Sequence, residues 1–200
     1  DAMVAFEDNG TTYIATANEG DARDYDGFSE EERVEDLTLD ATAFPNAADI
    51  QNEDSLGRMN ITTTLGDTDG DGDYDELYAY GARSFSIWDE NLSLVWDSEA
   101  QIGQQVFAQY PTQFNSTNDD NDSFKNRSDD KGTEPEAIDV AEMGGMRFAF
   151  IGLERIGGVM VYNITNPTAP SFVSYFLNRN FTIDADQPGA GDLGPECVVF

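Results

Sequence analysis

Ser84-Phe85-Ser86-Ile87-Trp88-Asp89 reads as an alternating strand, and its pattern returns as Gly158-Val159-Met160-Val161-Tyr162-Asn163. Each run leads through a turn into another apolar run, Leu92–Trp96 in the first case and Ser171–Phe176 in the second. Outward from the second copy, Glu136–Ala141, Arg147–Leu153, Gly158–Ile164 and Ser171–Phe176 make four strands joined by short turns. A four-strand group of about 40 residues is the size of a propeller blade. Blade starts recur as well. Pro135-Glu136-Ala137-Ile138-Asp139-Val140 matches Pro195-Glu196-Cys197-Val198-Val199-Phe200 and, more loosely, Asp1-Ala2-Met3-Val4-Ala5-Phe6. Tyr13–Glu19 echoes Phe148–Glu154, each ending on a carboxylate. The expected fold is all-β: a β-propeller of four-stranded antiparallel blades, with this chain covering about two to three of them and radial repetition leaving only short edges.

The remaining segments fit around that repeat. Met3–Phe6 and Tyr13–Ala17 flank Asp8-Asn9-Gly10, a hairpin turn signal. Ser29 with Glu32 forms a capping box and predicts a short helix over Glu30–Asp36, followed by polar loop to Gly57. Arg58–Leu65 and Glu76–Tyr80 are expected strands. Ser98 begins a predicted helix with Ile102, Val106 and Phe107 on one face and Pro111 past its end. Gln113–Gly132 is an Asn/Asp/Ser loop: disordered, glycosylated, or a second cation site. The expected division is residues 1–57 as a first blade with a long loop insertion, 58–97 as a blade with a cation loop, and 98–135 as helix and acidic loop. Residues 136–177 form another blade, and 178–200 a loop and the start of the next. The sequence opens inside one apolar run and stops inside another, so it reads as a piece of something longer, with the remaining blades of the same protein as its first partners.

Asp67-Thr68-Asp69-Gly70-Asp71-Gly72-Asp73-Tyr74-Asp75 carries the sharpest local chemistry. Asp67, Asp69, Asp71 and Asp75 occupy positions 1, 3, 5 and 9 of a calcium loop, and Gly72 takes position 6, where the turn needs positive φ. Asp73, at position 7, would give its backbone carbonyl. Calcium takes about six to eight oxygens at roughly 2.3–2.6 Å, a set that alternate residues of a tight turn can supply. Position 12 is Tyr78 rather than a bidentate Glu, so the loop resembles the D-x-D-x-D-G-x-x-D hairpin loops of integrin-type propellers and not an EF-hand. The competing reading is an acidic turn in an acidic protein.

Composition narrows the function. The 200 residues carry a formal charge of −30 and no His. That field disfavours nucleic acid and attracts cations, or else reflects adaptation to a salty medium. Without His, Ser-His-Asp and Cys-His catalysis and imidazole zinc sites are excluded within this chain. The single Cys197 excludes an internal disulfide framework. No apolar run approaches the roughly 20 residues of a membrane span. N-x-S/T sequons stand at Asn9, Asn60, Asn91, Asn115, Asn121, Asn126, Asn163 and Asn180, where chance gives roughly two. The excess points to a secreted or cell-surface glycoprotein, although turn-rich β proteins inflate the count.

In a propeller, a side chain at each blade start faces the mouth of the central channel. Glu136, Glu196 and Asp1 are expected there, with Glu19, Asp21, Arg23 and Asp24 from the first blade. Arg127, Asp129, Asp130, Lys131 and Glu134 lead into the third, and Glu154 with Arg155 ends its second strand. Such a rim either holds metal ions and the phosphate they bridge, or ties blade corners together through salt bridges.

"YIATANEGDARDYDGF" (residues 13–28), "TTLGDTDGDGDYDELYAYGARSFSIWD" (63–89), "RSDDKGTEPEAIDV" (127–140) and "FAFIGLERIGGVMVYNITNP" (148–167) resemble the choice-of-anchor I family. The resemblance runs over nearly the whole chain. That family includes mesenchyme-specific cell-surface glycoproteins linked to biomineralisation, and bacterial proteins labelled alkaline phosphatase or phytase-esterase-like. It implies a secreted or surface-anchored propeller. Two roles follow as expectations. One is a calcium-binding glycoprotein with structural, adhesive or mineral-associated work and extracellular assembly partners. The other is a calcium-dependent phosphohydrolase at the channel mouth, with Arg127, Lys131 or Arg155 steadying the phosphate. The family's Pro-Glu-Gly blade start stands here as Glu136-Ala137 and Glu196-Cys197, which questions any function needing close backbone approach to a ligand there.

Overall fold

The computed structural model describes residues 2–81 and 83–200; Asp1 therefore lies outside the described residues. In chain order its strands are β1 (Met3–Asp8), β2 (Thr11–Asn18), β3 (Asp24–Tyr25), β4 (Phe28–Ser29), β5 (Glu31–Arg33) and β6 (Asn60–Thr62), then β7 (Ser84–Asp89) and β8 (Leu94–Asp97). β9 (Pro135–Met143), β10 (Met146–Leu153), β11 (Val159–Asn163) and β12 (Ser171–Phe176) complete the set, with helices α1 (Ala47–Ile50) and α2 (Gln101–Gln109). The described residues are predominantly β. Two four-stranded antiparallel sheets carry the architecture: sheet 1 in the order β1-β2-β7-β8, and sheet 2 in the order β12-β11-β10-β9.

The chain forms two compact units, residues 1–20 with 81–200, and residues 21–80. Strands expected in two successive blades, 1–57 and 58–97, thus belong to one sheet, because Tyr13–Asn18 pairs directly with Ser84–Asp89. Residues 21–80 are an insertion between the second and third strands. Departure and return points meet: a Cβ on Gly81 would lie 3.3 Å from Gly20 Cα and 2.1 Å from the Glu19 carbonyl oxygen. Gly81 sits at φ +67°, so the return needs glycine on both counts.

Sheets 1 and 2 repeat each other in register. Tyr13 lies opposite Asp89 as Phe148 lies opposite Asn163. The third-to-fourth strand pairing slips at the same place in both, between Ile87 and Trp88 and between Val161 and Tyr162. Glu19 and Glu154 therefore occupy equivalent positions just past β2 and β10. Phe6 falls opposite Tyr13 as Ala141 falls opposite Phe148, one residue along from the looser alignment of the chain start.

The core of this unit lies between the sheets. Ala15, Ala17, Phe85 and Ile87 of sheet 1 and Ala149, Ile151, Met160 and Tyr162 of sheet 2 are buried in one cluster. Phe85 and Tyr162 meet edge to face at 4.8 Å, and Trp96 stands 6.2 Å from Tyr162. Arg147 of β10 ties sheet 2 to β1 across the joint, its Nη1 3.2 Å from the Asp8 carboxylate and its guanidinium 5.2 Å from the Phe6 ring centre. The expected helix forms as α2, beginning at Gln101 rather than at Ser98, without a side-chain cap and with Ile102 and Val106 buried. Phe107 is exposed, not core, because one residue beyond Val106 turns about 100° away around the helix.

Other expectations are corrected. Glu30–Asp36 is not a helix: Glu31–Arg33 pairs with Asn60–Thr62, and only Val34–Asp36 makes a 3₁₀ turn. The Ser29 hydroxyl accepts from the Glu31 N–H instead of capping a helix, and Glu30 turns to Arg23. The strand expected over Arg58–Leu65 shortens to β6. Glu76–Tyr80 gives only a single bridge from Ala79 to Ile61, because the Gly66 carbonyl captures the N–H groups of Asp75 and Glu76. Leu92–Trp96 starts two residues late, with Leu92 at φ 60° in the turn. Pro195–Phe200 forms no strand among the described residues; the Phe200 ring stacks on Phe150 and its N–H donates to the Asp139 carboxylate.

Candidate functional site

In the inserted unit, the aspartate loop is built from its own backbone outward. The Asp67 carboxylate accepts from the Gly70 N–H at 2.7 Å and the Gly72 N–H at 3.1 Å. Gly70 and Gly72 sit at φ +80° and +99°, as the tight turn requires. Asp69 accepts from the Asp71 N–H, and Asp71 from the Asp73 N–H. Asp75 closes the loop by accepting both the Thr68 N–H (2.8 Å) and the Thr68 hydroxyl (2.7 Å).

These contacts divide the expected ligands. One carboxylate oxygen each from Asp67, Asp69 and Asp71 gathers within 4.8 Å, while Asp73 and Asp75 group instead with Asp40. Asp40 arrives because Leu39 bridges to Tyr74 and the Asp40 N–H donates to the Tyr74 carbonyl. Nothing in the local pattern announces Asp40. The Asp69 carboxyl is held above its ordinary range, chiefly by the neighbouring Asp71 charge, and Asp73 is raised by burial and then by Asp71. Asp75 is lowered by its Thr68 hydrogen bonds. The donor set is all hard oxygen and the like charges repel one another, the chemistry a divalent cation of calcium type would relieve.

The rim residues fall into the two units. Asp21, Arg23 and Asp24 belong to the insertion, where Arg23 pairs with Glu30 at 2.6 Å. In the unit of the two sheets, the hub is Glu134, fully buried at φ 50°. Arg127 reaches its carboxylate at 2.6 Å, Arg155 at 2.8 Å and Lys131 at 3.7 Å. Lys131 also pairs with Glu19 at 3.0 Å, Arg155 with Glu154 at 3.0 Å, and Arg127 with Asp130 at 2.6 Å. Arg83, unremarked in the sequence, donates to the Ser128 and Asp130 carbonyls, and Asp129 lies near enough to support its charge.

Oxygens of Glu19, Glu134 and Glu154 come within 4.8 Å of one another, so the equivalent carboxylates of the two sheets converge on one buried acid. Burial, then the Glu134 and Glu136 carboxylates, push Glu154 up to about 7 against the opposing pull of Arg155. Glu136 is raised by burial and by Glu19 and Glu196, and its Oε2 is buried with no hydrogen-bond partner. The arrangement is a charge-paired clasp: Arg127, Lys131 and Arg155 each face a carboxylate, and Arg83 is held by backbone carbonyls.

The sequons separate by exposure. Asn9, Asn91, Asn126 and Asn180 are exposed. Asn60 and Asn163 are half-buried within β6 and β11. Asn115 is buried with its Nδ2 donating to Ser128, so it does not present that nitrogen to a glycan; the Asn121 Nδ2 is likewise engaged, by the Ile183 carbonyl.

The family model for the choice-of-anchor I domain matches residues 1–167. The chain belongs to the choice-of-anchor I family. Gigasin-3a from Magallana gigas is similar, 34% identical over 134 residues, which cover 62% of this chain and 47% of that protein. This choice-of-anchor I chain thus spans about half the length of the curated relative it matches. No solved structure matches it. Among the described residues no helix is long and apolar enough to cross a membrane.

Proposed function

We propose that this chain is part of an extracellular, secreted or cell-surface glycoprotein that binds calcium and serves a structural, adhesive or mineral-associated role. Its four-stranded sheets would be successive blades of a β-propeller completed by the rest of the polypeptide. The observation that carries the reading is the Asp67 carboxylate clamping the Gly70 and Gly72 N–H groups, which turns Asp69 and Asp71 toward it. Matched slips in the two sheets support the blade reading, and the exposed sequons Asn9, Asn91, Asn126 and Asn180 support passage through a secretory route.

Calcium calorimetry on the wild type and on the Asp69→Ala, Asp71→Ala double variant tests it. A binding isotherm in the wild type that disappears in the variant is expected; superimposable isotherms would refute the loop. The alternative, a calcium-dependent phosphohydrolase, draws on the Arg127, Lys131 and Arg155 cluster. Those cations are already paired to Glu134, Glu19 and Glu154, which favours the clasp over phosphate. Turnover of phosphomonoesters or phytate in millimolar calcium by the longer protein, lost on Arg155→Ala, would reverse that preference.

A further inference from the structure

Arg83 differs from Arg127, Lys131 and Arg155, which are paired with carboxylates. Its Nη2 donates to the Ser128 and Asp130 carbonyls, but among the described residues its Nε and Nη1 meet no acceptor and no carboxylate forms an ion pair with it. Burial lowers its pKa from the ordinary guanidinium value, against a Coulombic pull from Asp130, Glu134 and Asp129. The residue also holds φ 55°, a left-handed backbone uncommon for a side chain of this size. Arg83 lines a cleft of about 540 Å³, within the range of small-molecule sites. Other walls are Phe107 and Phe114, whose rings meet edge to face at 5.5 Å, and the first turn of α2 with Ala100, Gly103 and Gln104. That turn has no side-chain cap, so its end of the helix dipole adds to the positive field. Gly103 leaves empty space: a Cβ there would meet only the Phe114 ring edge, at 3.9 Å. The cleft is built largely on the crossing from sheet 1 to sheet 2, between β8 and β9, and not on an outer sheet face.

We propose that this cleft binds a small aromatic monocarboxylate, its carboxylate on the Arg83 guanidinium and its ring packed on Phe107 and Phe114. Each part of the ligand answers a feature of the walls. Guanidinium nitrogens without acceptors call for an anion, and a carboxylate supplies charge-assisted hydrogen bonds. The two phenylalanine rings call for a flat apolar body. Glu99 at the rim and the −30 charge of the chain oppose a second negative charge, so one carboxylate suits the site and a phosphate dianion does not. The site uses neither the aspartate loop of the insertion nor the cations paired at Glu134. It goes beyond the calcium reading, and either can fail without the other.

Calorimetric titration of the protein near neutral pH with phenylacetate, phenyl phosphate and benzyl alcohol is the test. Phenylacetate should bind with a millimolar or tighter Kd, and the dianionic and neutral probes should bind roughly tenfold or more weaker. Arg83→Gln should weaken phenylacetate by roughly tenfold or more, through loss of a charged hydrogen-bond donor. Gly103→Leu fills the cleft without altering Arg83. It should abolish binding yet melt no lower than the wild type, because a helical glycine gives way to a better helix former. This second variant decides the matter where Arg83→Gln disturbs the Ser128 and Asp130 contacts, and unchanged far-UV circular dichroism checks both folds. Absence of phenylacetate binding, equal binding of benzyl alcohol, tighter binding of phenyl phosphate, or undiminished binding by a folded Arg83→Gln or Gly103→Leu variant would each overturn the proposal.

Discussion

Glu134 shows how one side chain organises a neighbourhood. Its carboxylate sits at 0% exposure, held below the ordinary carboxylate range by Arg127 and Arg155 against the cost of burial. Glu134→Ala should cost about 1–3 kcal/mol in urea unfolding, since it leaves the partly buried guanidinium groups of Arg127 and Arg155 without their shared carboxylate. Glu154 behaves oppositely. The folded chain holds its proton more tightly than the unfolded chain, so the stability it confers is fully present below the ordinary carboxylate range and is lost as pH rises through about 7. Glu154→Gln should therefore melt a few degrees above the wild type near pH 8, at roughly 2–4 °C per kcal/mol for a chain this size, with the gap shrinking by about pH 5. The charged run at 127–136 is legible in the sequence, but the hub is not, because burial of Glu134 comes from chain segments far away. Asp40 is hidden for the same reason: its place beside Asp73 and Asp75 depends on the Leu39–Tyr74 bridge.

At the scale of elements, hairpins and the core helix are readable because their signals are local: Asp8-Asn9-Gly10 makes its turn, and Ile102 with Val106 sets the buried stripe. Elements of the insertion are not readable. Ser29 and Glu32 satisfy a capping pattern, yet pairing with Asn60–Thr62 outcompetes a single helical turn, as nonlocal context overrides weak propensity. Two substitutions probe the packing of elements. Phe85→Ala, at the joint with Tyr162, should lose about 3–5 kcal/mol, the cost of a buried aromatic truncated to a cavity. Gly81→Ala should lose about 1–3 kcal/mol because φ +67° and the Glu19 carbonyl both exclude a methyl group. Chemical denaturation measures each.

Over the whole molecule, the repeat was visible in the paired hexamers, while the assignment of strands to sheets was not. Sequence order places residues 58–97 in one blade; long-range pairing of β2 with β7 instead closes sheet 1 around the insertion. Replacing residues 21–80 with a short glycine linker should leave the near-native circular dichroism of the sheets, because Gly20 and Gly81 are already adjacent. Loss of cooperative melting in that variant would contradict the two-unit division. The chain's two tryptophans stand on opposite faces of sheet 1, Trp96 among Phe85 and Tyr162 and Trp88 on an apolar groove beside Met3 and Ile14. The molecule thus carries its own pair of optical reporters: blue-shifted emission from Trp96 follows separation of the sheets, and acrylamide quenching of Trp88 follows whatever settles over it.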